Sequence, residues 1–242
     1  MAGHGSGGLP VRLVLVRHAE SGHSTHQVIA GAKGCTGLTE RGIEQAHALA
    51  DRLRATNELD DCRALLCSPV LRARQTAEIL AKVLPVSTIE EDCDLCEVHP
   101  GEADGLSWEE YRATYGAFDL LAFPSRPFAP GGESWSDFIG RVHATHRRLA
   151  TRFAGQTVVA ITHAGFVVAS ILAAFAIPRP GTGARLEPVH TSLTEWRVSA
   201  TSWTLARYND AGHLLYCTRS KGTDDESSAA QIRNRPAVAH AG

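Results

Sequence analysis

Two histidines stand in matching positions along this sequence. VRLVLVRHA, residues 11–19, and TVVAITHAG, residues 157–165, each carry a strand-like run into an imidazole followed by a small residue. An imidazole near neutral pH can attack, accept a proton or donate one. Arg17, directly before His18, adds a planar cation suited to an oxyanion. An apolar interior accepts neither group unpaired, so the chain must leave the core at both points. The pair His18 and His163, with Arg17, is therefore a candidate anion-handling centre.

Such a centre needs elements that bring distant residues to one edge. Strand-like runs occur at 11–16, 64–67, 86–89, 157–162, 193–198 and 202–208, with helical periodicity between most of them. After LTERG (38–42), Ile43, Ala46, Leu49, Ala50 and Leu53 share one helical face. SPVLRARQTAEILAKVL (68–84) predicts a helix capped by Ser68 with Pro69 at its first position. A third helix is predicted over about 134–154, with Trp135, Phe138, Val142, Leu149 and Phe153 inward, and a fourth follows His163. Alternating strands and helices imply an α/β fold: a three-layer α/β/α sandwich with a mainly parallel central sheet and an antiparallel edge built from the last two runs. In such sheets ligands bind beyond the carboxyl ends of the strands, where Arg17-His18-Ala19 and Thr162-His163-Ala164 fall.

The ordered set RHAE (17–20), LTERG, SPVLRARQTAE (68–78), LCEVHPGEADG (95–105), PGGES (130–134) and ITHAG (161–165) resembles the histidine phosphatase superfamily, which includes phosphoglycerate mutases and related phosphatases. The resemblance covers most of residues 11–208. It implies His18 as a nucleophile carrying the phosphoryl group, Arg17 and Arg72 as a phosphate clamp, His163 as a further donor and catalytic group, and Glu97 as general acid and base. Phosphoryl transfer is largely positioning and charge stabilisation, so paired guanidiniums around a neutral imidazole suit it. The acidic surroundings of Glu97 could equally be a solvated loop; the string L-x-E-x3-G-x3-G, with Gly101 and Gly105, selects it. Thr39 is expected either to cap a helix or to touch phosphate. Where many members carry Asn six residues after the nucleophile, this chain has Ser24, whose hydroxyl would reach less far. His23 and His26 extend the same loop. The string HTSLTEW (190–196) resembles the family's late strand and reads as structural.

Composition bounds the remaining classes. The chain has 242 residues, 43% hydrophobic and 21% charged, with a net charge of −2, which argues against a general nucleic-acid or membrane-surface binder. Of 24 basic residues only Lys33, Lys82 and Lys221 are lysine, a bias that fits either anion recognition or base composition of the gene. AGFVVASILAAFAI (164–177) is too short to span a bilayer, and the N-terminus lacks a secretory pattern. A cytoplasmic location with all six cysteines reduced is expected. CDLCEVH (93–99) has zinc-ligand types, but no second cluster accompanies it, so neither a metal nor any other cofactor is expected. One catalytic domain is read over 10–218, between a flexible leader (1–9) and a disordered tail (219–242). The expected partner is a small phosphorylated substrate; the oligomeric state stays open. From Glu97 to His163 is 66 residues, shorter than the mutases resemble, with an apolar lid-like stretch at 106–130. Phosphomonoester hydrolysis is therefore expected, with mutase-type transfer or a non-catalytic phospho-ligand module as the alternatives.

Overall fold

The fold, obtained as a computed structural model, is described for residues 9–23, 27–116, 123–177 and 185–217. The expected tail and most of the expected leader lie outside these residues. Strand β1 (Val11–Arg17) is followed by α1 (Glu40–Thr56), β2 (Cys62–Cys67), α2 (Leu71–Ala81), β3 (Ile89–Glu91), α3 (Trp108–Tyr115), α4 (Trp135–Arg152), β4 (Thr157–Thr162), α5 (Ala164–Ala174), β5 (Leu193–Val198), β6 (Trp203–Asp210) and the short α6 (Leu214–Cys217). One sheet holds all six strands in the order β3-β2-β4-β1-β5-β6. The pairs β3–β2, β2–β4 and β4–β1 are parallel, whereas β1–β5 and β5–β6 are antiparallel. The expected sandwich, with its antiparallel edge, is the observed one.

Strand alternation explains the two helical layers. Leu13 and Leu15 of β1 pack with Val158 and Ala160 of β4 against Phe138, Val142 and Leu149 of α4 and Phe166 and Val167 of α5. Val14 and Val16 point the other way, with Val159 and Ile161, onto Leu49 and Leu53 of α1 and Ala73, Ala77 and Leu80 of α2. Because both faces are covered, β4 is buried throughout its length and its sequence is almost uninterruptedly apolar. A third, smaller cluster of Ile29, Ala103, Tyr111, Phe128 and Ala129 stands above the sheet's carboxyl edge, where Tyr111 stacks on Phe128 at 4.6 Å and donates its hydroxyl to the Phe128 carbonyl. Among the described residues no helix is long and apolar enough to cross a membrane.

Helix ends differ from expectation at one informative place. Helix α4 starts where the expected helix over about 134–154 does, and there Ser134 and Asp137 form a reciprocal capping box. Helix α2 does not: it begins at Leu71 after an extended Val70, with no side-chain cap. Ser68 is buried, and its hydroxyl is committed to groups inside the molecule. Strand β3 also starts later than the 86–89 expected, because pairing with β2 runs from Leu65 opposite Ile89.

Candidate active site

Four strands bring groups to one edge of the sheet. In the β1–β4 register Arg17 lies opposite Thr162, so His18 and His163 follow side by side, and their ring centroids are 5.1 Å apart. Strand β2 lies on the other side of β4 and leads into Ser68; the Ser68 N–H donates to the Ile161 carbonyl at 3.0 Å. Strand β5 is antiparallel to β1, so it starts where β1 ends, and the turn before it brings His190 to the same edge.

The loop after His18 is held from below by both helices of one layer. The Ala19 N–H donates to Thr76 Oγ1 and the Glu20 N–H to Gln45 Oε1. Thr39 caps α1, accepting from the Gly42 N–H, and donates its hydroxyl to Glu20 at 2.9 Å. A Cβ on Gly42 would lie 2.0 Å from the Glu20 carbonyl oxygen, so glycine is required for α1 to approach the loop. These contacts correct the reading of Thr39 as a phosphate contact: its hydroxyl is committed to the cap and to Glu20, and Thr39 does not line the cleft. Ser24 and His26 lie outside the described residues.

Protonation states follow from the donors. Arg72 can only donate, and its Nε lies 3.0 Å from His18 Nε2, so that nitrogen carries a lone pair. The ring proton then sits on Nδ1, which donates to the Ala19 carbonyl at 2.7 Å. The same guanidinium donates through Nη2 to His163 Nδ1 at 3.0 Å, and His163 Nε2–H donates to Ser68 Oγ at 2.9 Å. Burial, reinforced by the Arg72 charge, holds both imidazoles well below the usual histidine range, so both are neutral. Burial likewise brings His23 down to about 4 and His190 to about 3, each helped by nearby arginine. With both ring nitrogens of His163 engaged, the residue supports Arg72 in this arrangement and presents no free N–H.

Two guanidinium donors remain for an anion. Arg72 is 2% exposed, yet its Nη1 has no hydrogen-bond partner among the described residues, and neither has the buried Nε of Arg17. Arg17 is tethered at its other nitrogens, to the Pro188 carbonyl at 2.5 Å and to His190 Nε2 at 2.9 Å. Buried donors of this kind find partners in most native interiors, and a phosphate oxygen supplies strong charge-assisted ones.

Glu97 reaches the cleft from the loop after β3. Its Oε2 accepts the Gly165 N–H at 2.8 Å, and a Cβ on Gly165 would lie 2.0 Å from Oε1. Arg141 fastens this loop by donating to the carbonyls of Asp94, Cys96 and Glu97, while its other face pairs with Glu133. The cleft has a volume of about 550 Å³. His18, Arg17, Arg72, His23 and Glu97 line it together with the apolar side chains of Val28, Ile29, Trp108 and Phe128 and the side chain of Arg112. A neutral imidazole whose lone pair is held only by Arg72, two cations with unpartnered donors and a carboxyl group can together bind a phosphoryl group, accept it and handle the leaving group's proton.

Sequence reasoning brought Arg17, His18, Arg72, Glu97 and His163 to this site, and all five converge. It missed Ser68, taken as a helix cap, and His190, taken as structural. The signal for His190 was present: a strand running antiparallel to β1 must begin beside His18.

Comparison with known proteins places the chain among relatives of similar sequence and fold. The model of the histidine phosphatase superfamily (branch 1) matches residues 13–211. The chain is similar to the metal-independent phosphoserine phosphatase of Arabidopsis thaliana, 28% identical over 210 residues that cover 84% of this chain and 82% of the relative. Bacillus stearothermophilus YhfR aligns with a TM-score of 0.70 at 28% identity, covering 84% of this chain and 99% of that one. A mycobacterial glucosyl-3-phosphoglycerate phosphatase, solved in complex with VO3, aligns with a TM-score of 0.65 at 25% identity over 82% of this chain and 98% of that chain.

Proposed function

The chain belongs to the histidine phosphatase superfamily (branch 1), and from that premise we propose that it hydrolyses small phosphomonoesters through a phosphohistidine on His18. The observation that carries the reading is the neutral His18, its Nε2 lone pair facing Arg72, beside two buried guanidinium donors without protein partners.

In the proposed first step phosphate oxygens draw the Arg72 and Arg17 donors onto themselves, releasing His18 Nε2. The lone pair attacks phosphorus, the P–O ester bond breaks, and Glu97, as general acid, gives a proton to the departing alkoxide. The charge spread over the phosphoryl oxygens meets both guanidiniums, which stabilise the transition state more than the ester. In the second step the Glu97 carboxylate takes a proton from water, the oxygen attacks phosphorus, and the N–P bond breaks. Orthophosphate leaves and the Nε2 lone pair is restored. His163 holds Arg72, and Ser68 keeps the His163 proton on Nε2.

The volume of the cleft suits a metabolite. Its apolar wall of Val28, Ile29, Trp108 and Phe128 would pack the carbon skeleton, and Arg112 would meet a second anionic group remote from the phosphate. The similarity to a phosphoserine phosphatase supports a substrate of that size and charge. A cytoplasmic location goes with this reading, supported by the free thiols of Cys35, Cys62, Cys67, Cys93 and Cys96.

The test uses a phosphate-labelled aryl ester and a panel of metabolite esters. Wild type should release orthophosphate and, on rapid quenching, carry an acid-labile, alkali-stable label that His18→Ala lacks. Turnover surviving in His18→Ala would overturn the mechanism. Transfer of label to a phosphoglycerate hydroxyl in place of water would make the enzyme a mutase.

A further inference from the structure

Outside the cleft, three soft-metal ligand types meet on the loop that carries Glu97. Cys93 Sγ lies 3.6 Å from Cys96 Sγ and 3.7 Å from His99 Nε2, and all three ligand atoms fall within 4.8 Å of one another. In a tetrahedral zinc site with ordinary bond lengths, the sulfur–sulfur edge is about 3.8 Å and the sulfur–nitrogen edge about 3.6 Å. Two of the three edges already have these lengths.

The surroundings match what such a site requires. Glu133 Oε2 lies 3.4 Å from His99 Nδ1, on the ring edge away from the sulfurs, and accepts the His99 backbone N–H at 2.9 Å. A carboxylate behind the imidazole fixes the tautomer that leaves Nε2 for a cation. Arg141 bridges Glu133 to the carbonyls of Asp94 and Cys96, so the ligand frame is anchored to α4 before any cation arrives. Cys93 is exposed, which leaves an entry path and a fourth position for solvent, while Cys96 is buried. The sequence argument against a metal rested on the lack of a second ligand cluster; three converging ligands with a carboxylate behind the imidazole do not need one.

We propose that Cys93, Cys96 and His99 bind one thiophilic divalent cation of the zinc class, outside the catalytic cleft. Binding releases the thiol protons to solvent as the two sulfurs become thiolates. The site is joined to the reaction centre by a continuous hydrogen-bonded chain. Ser68 Oγ accepts from both Val70 N–H and His163 Nε2–H, so its own proton points to Cys96 Sγ, 3.2 Å away. A metal-held thiolate is a stronger acceptor, and it anchors the Ser68 hydroxyl that sets the His163 tautomer, and through Arg72 the position of His18.

The test is cobalt titration of the full chain under a non-thiol reductant. One equivalent should bind with a thiolate-to-cobalt charge-transfer band, zinc should displace it, and saturating cation should raise the thermal midpoint. Cys93→Ser and His99→Gln, both at the accessible rim, should each weaken binding by about 100-fold or more, beyond the 10–100-fold typical of an outer-shell partner. Both variants should keep aryl phosphate hydrolysis in cation-free buffer, which shows that they are folded. The proposal is overturned if no thiolate band forms, or if the bound cation is unaffected by either variant, as it would be on the imidazoles of the cleft.

Discussion

Arg72 Nε donates to His18 Nε2 at 3.0 Å, so the cation of the site occupies the lone pair that attacks phosphorus in the proposed reaction. The contact keeps His18 in the neutral Nδ1–H tautomer and reserves the guanidinium for whatever displaces it. In the proposed reaction an arriving phosphate would exchange one partner for another: arginine would pass to the oxygens, and the His18 lone pair would be exposed only when its target is present.

Arg72 therefore has two separable effects, and two substitutions divide them. Its charge adds to burial in pushing the His18 pKa down, and in the proposed reaction its planar fork grips the phosphoryl oxygens. Arg72→Lys retains the charge and loses the fork; kcat should fall by about 10²–10³-fold, with the acid limb of kcat/KM unmoved. Arg72→Gln removes the charge as well. His18 then rises toward its ordinary value, more of it is protonated at a given acidic pH, and the acid limb moves to higher pH. Profiles of the two variants that coincide would contradict this division.

Gly165 is placed so that Glu97 can reach the cleft. Gly165→Ala adds a Cβ at 2.0 Å from Glu97 Oε1 in a helical first turn that otherwise tolerates alanine. The carboxylate must swing away while the fold stays intact. An alkoxide leaving group needs the proton that Glu97 supplies, whereas nitrophenolate does not. Alkyl phosphate hydrolysis should fall by about 10²-fold or more, and nitrophenyl phosphate hydrolysis far less in its first step. Equal losses on both esters would remove Glu97 from the role of general acid.

The residues that sequence placed correctly are those whose role follows from position along one element. His18 and His163 end apolar strands, and parallel pairing sets them side by side. The helix expected over about 134–154 from its apolar face is α4, Trp135–Arg152. Ser68 looked like a cap by the same local logic, with Pro69 after it. Its hydroxyl instead bonds His163, 95 residues away, and Cys96, 28 residues away. That choice is made by burial and by unsatisfied partners, which a local pattern does not contain. His190 was hidden because its role comes from the strand direction of a neighbour. Glu97 stood out from the acids around it only by its string; in space it is distinguished by the bare backbone of Gly165.

Arg112 lines the cleft on the solvent side of α3, and among the described residues it forms no ion pair. Beside Trp108 and Phe128, it is placed to meet an anionic group at the far end of a substrate. Arg112→Ala should raise KM about 10-fold, the loss of one hydrogen bond to a charged group, for phosphomonoesters that bear a carboxylate. It should leave nitrophenyl phosphate unchanged. A uniform effect on both substrates would make Arg112 a general field contributor with no part in discrimination.

His146 links the fold to acid. It is fully buried in α4, stacked on Trp203 at 4.8 Å and on Phe166 at 5.7 Å, with Nδ1–H donated to the Val142 carbonyl and Nε2 without a partner. Burial brings its pKa down to about 4. The unfolded chain binds a proton there near pH 6.5, so between pH 6.5 and 4 the unfolded state holds one proton more than the folded one. Stability contributed by the neutral ring is present above the unfolded pKa and is lost as pH falls through this window. His146→Phe keeps an aromatic ring in the stack and removes the titration. The lost hydrogen bond shifts stability equally at every pH, and the other depressed histidines contribute alike to both proteins. Unfolding free energy plotted against pH from 6.5 to 4 should therefore be shallower in the variant by about 1.36 kcal/mol per pH unit. Urea denaturation at pH 7, 6 and 5 measures the slope, and parallel lines for the two proteins would show that His146 is protonated in the native state.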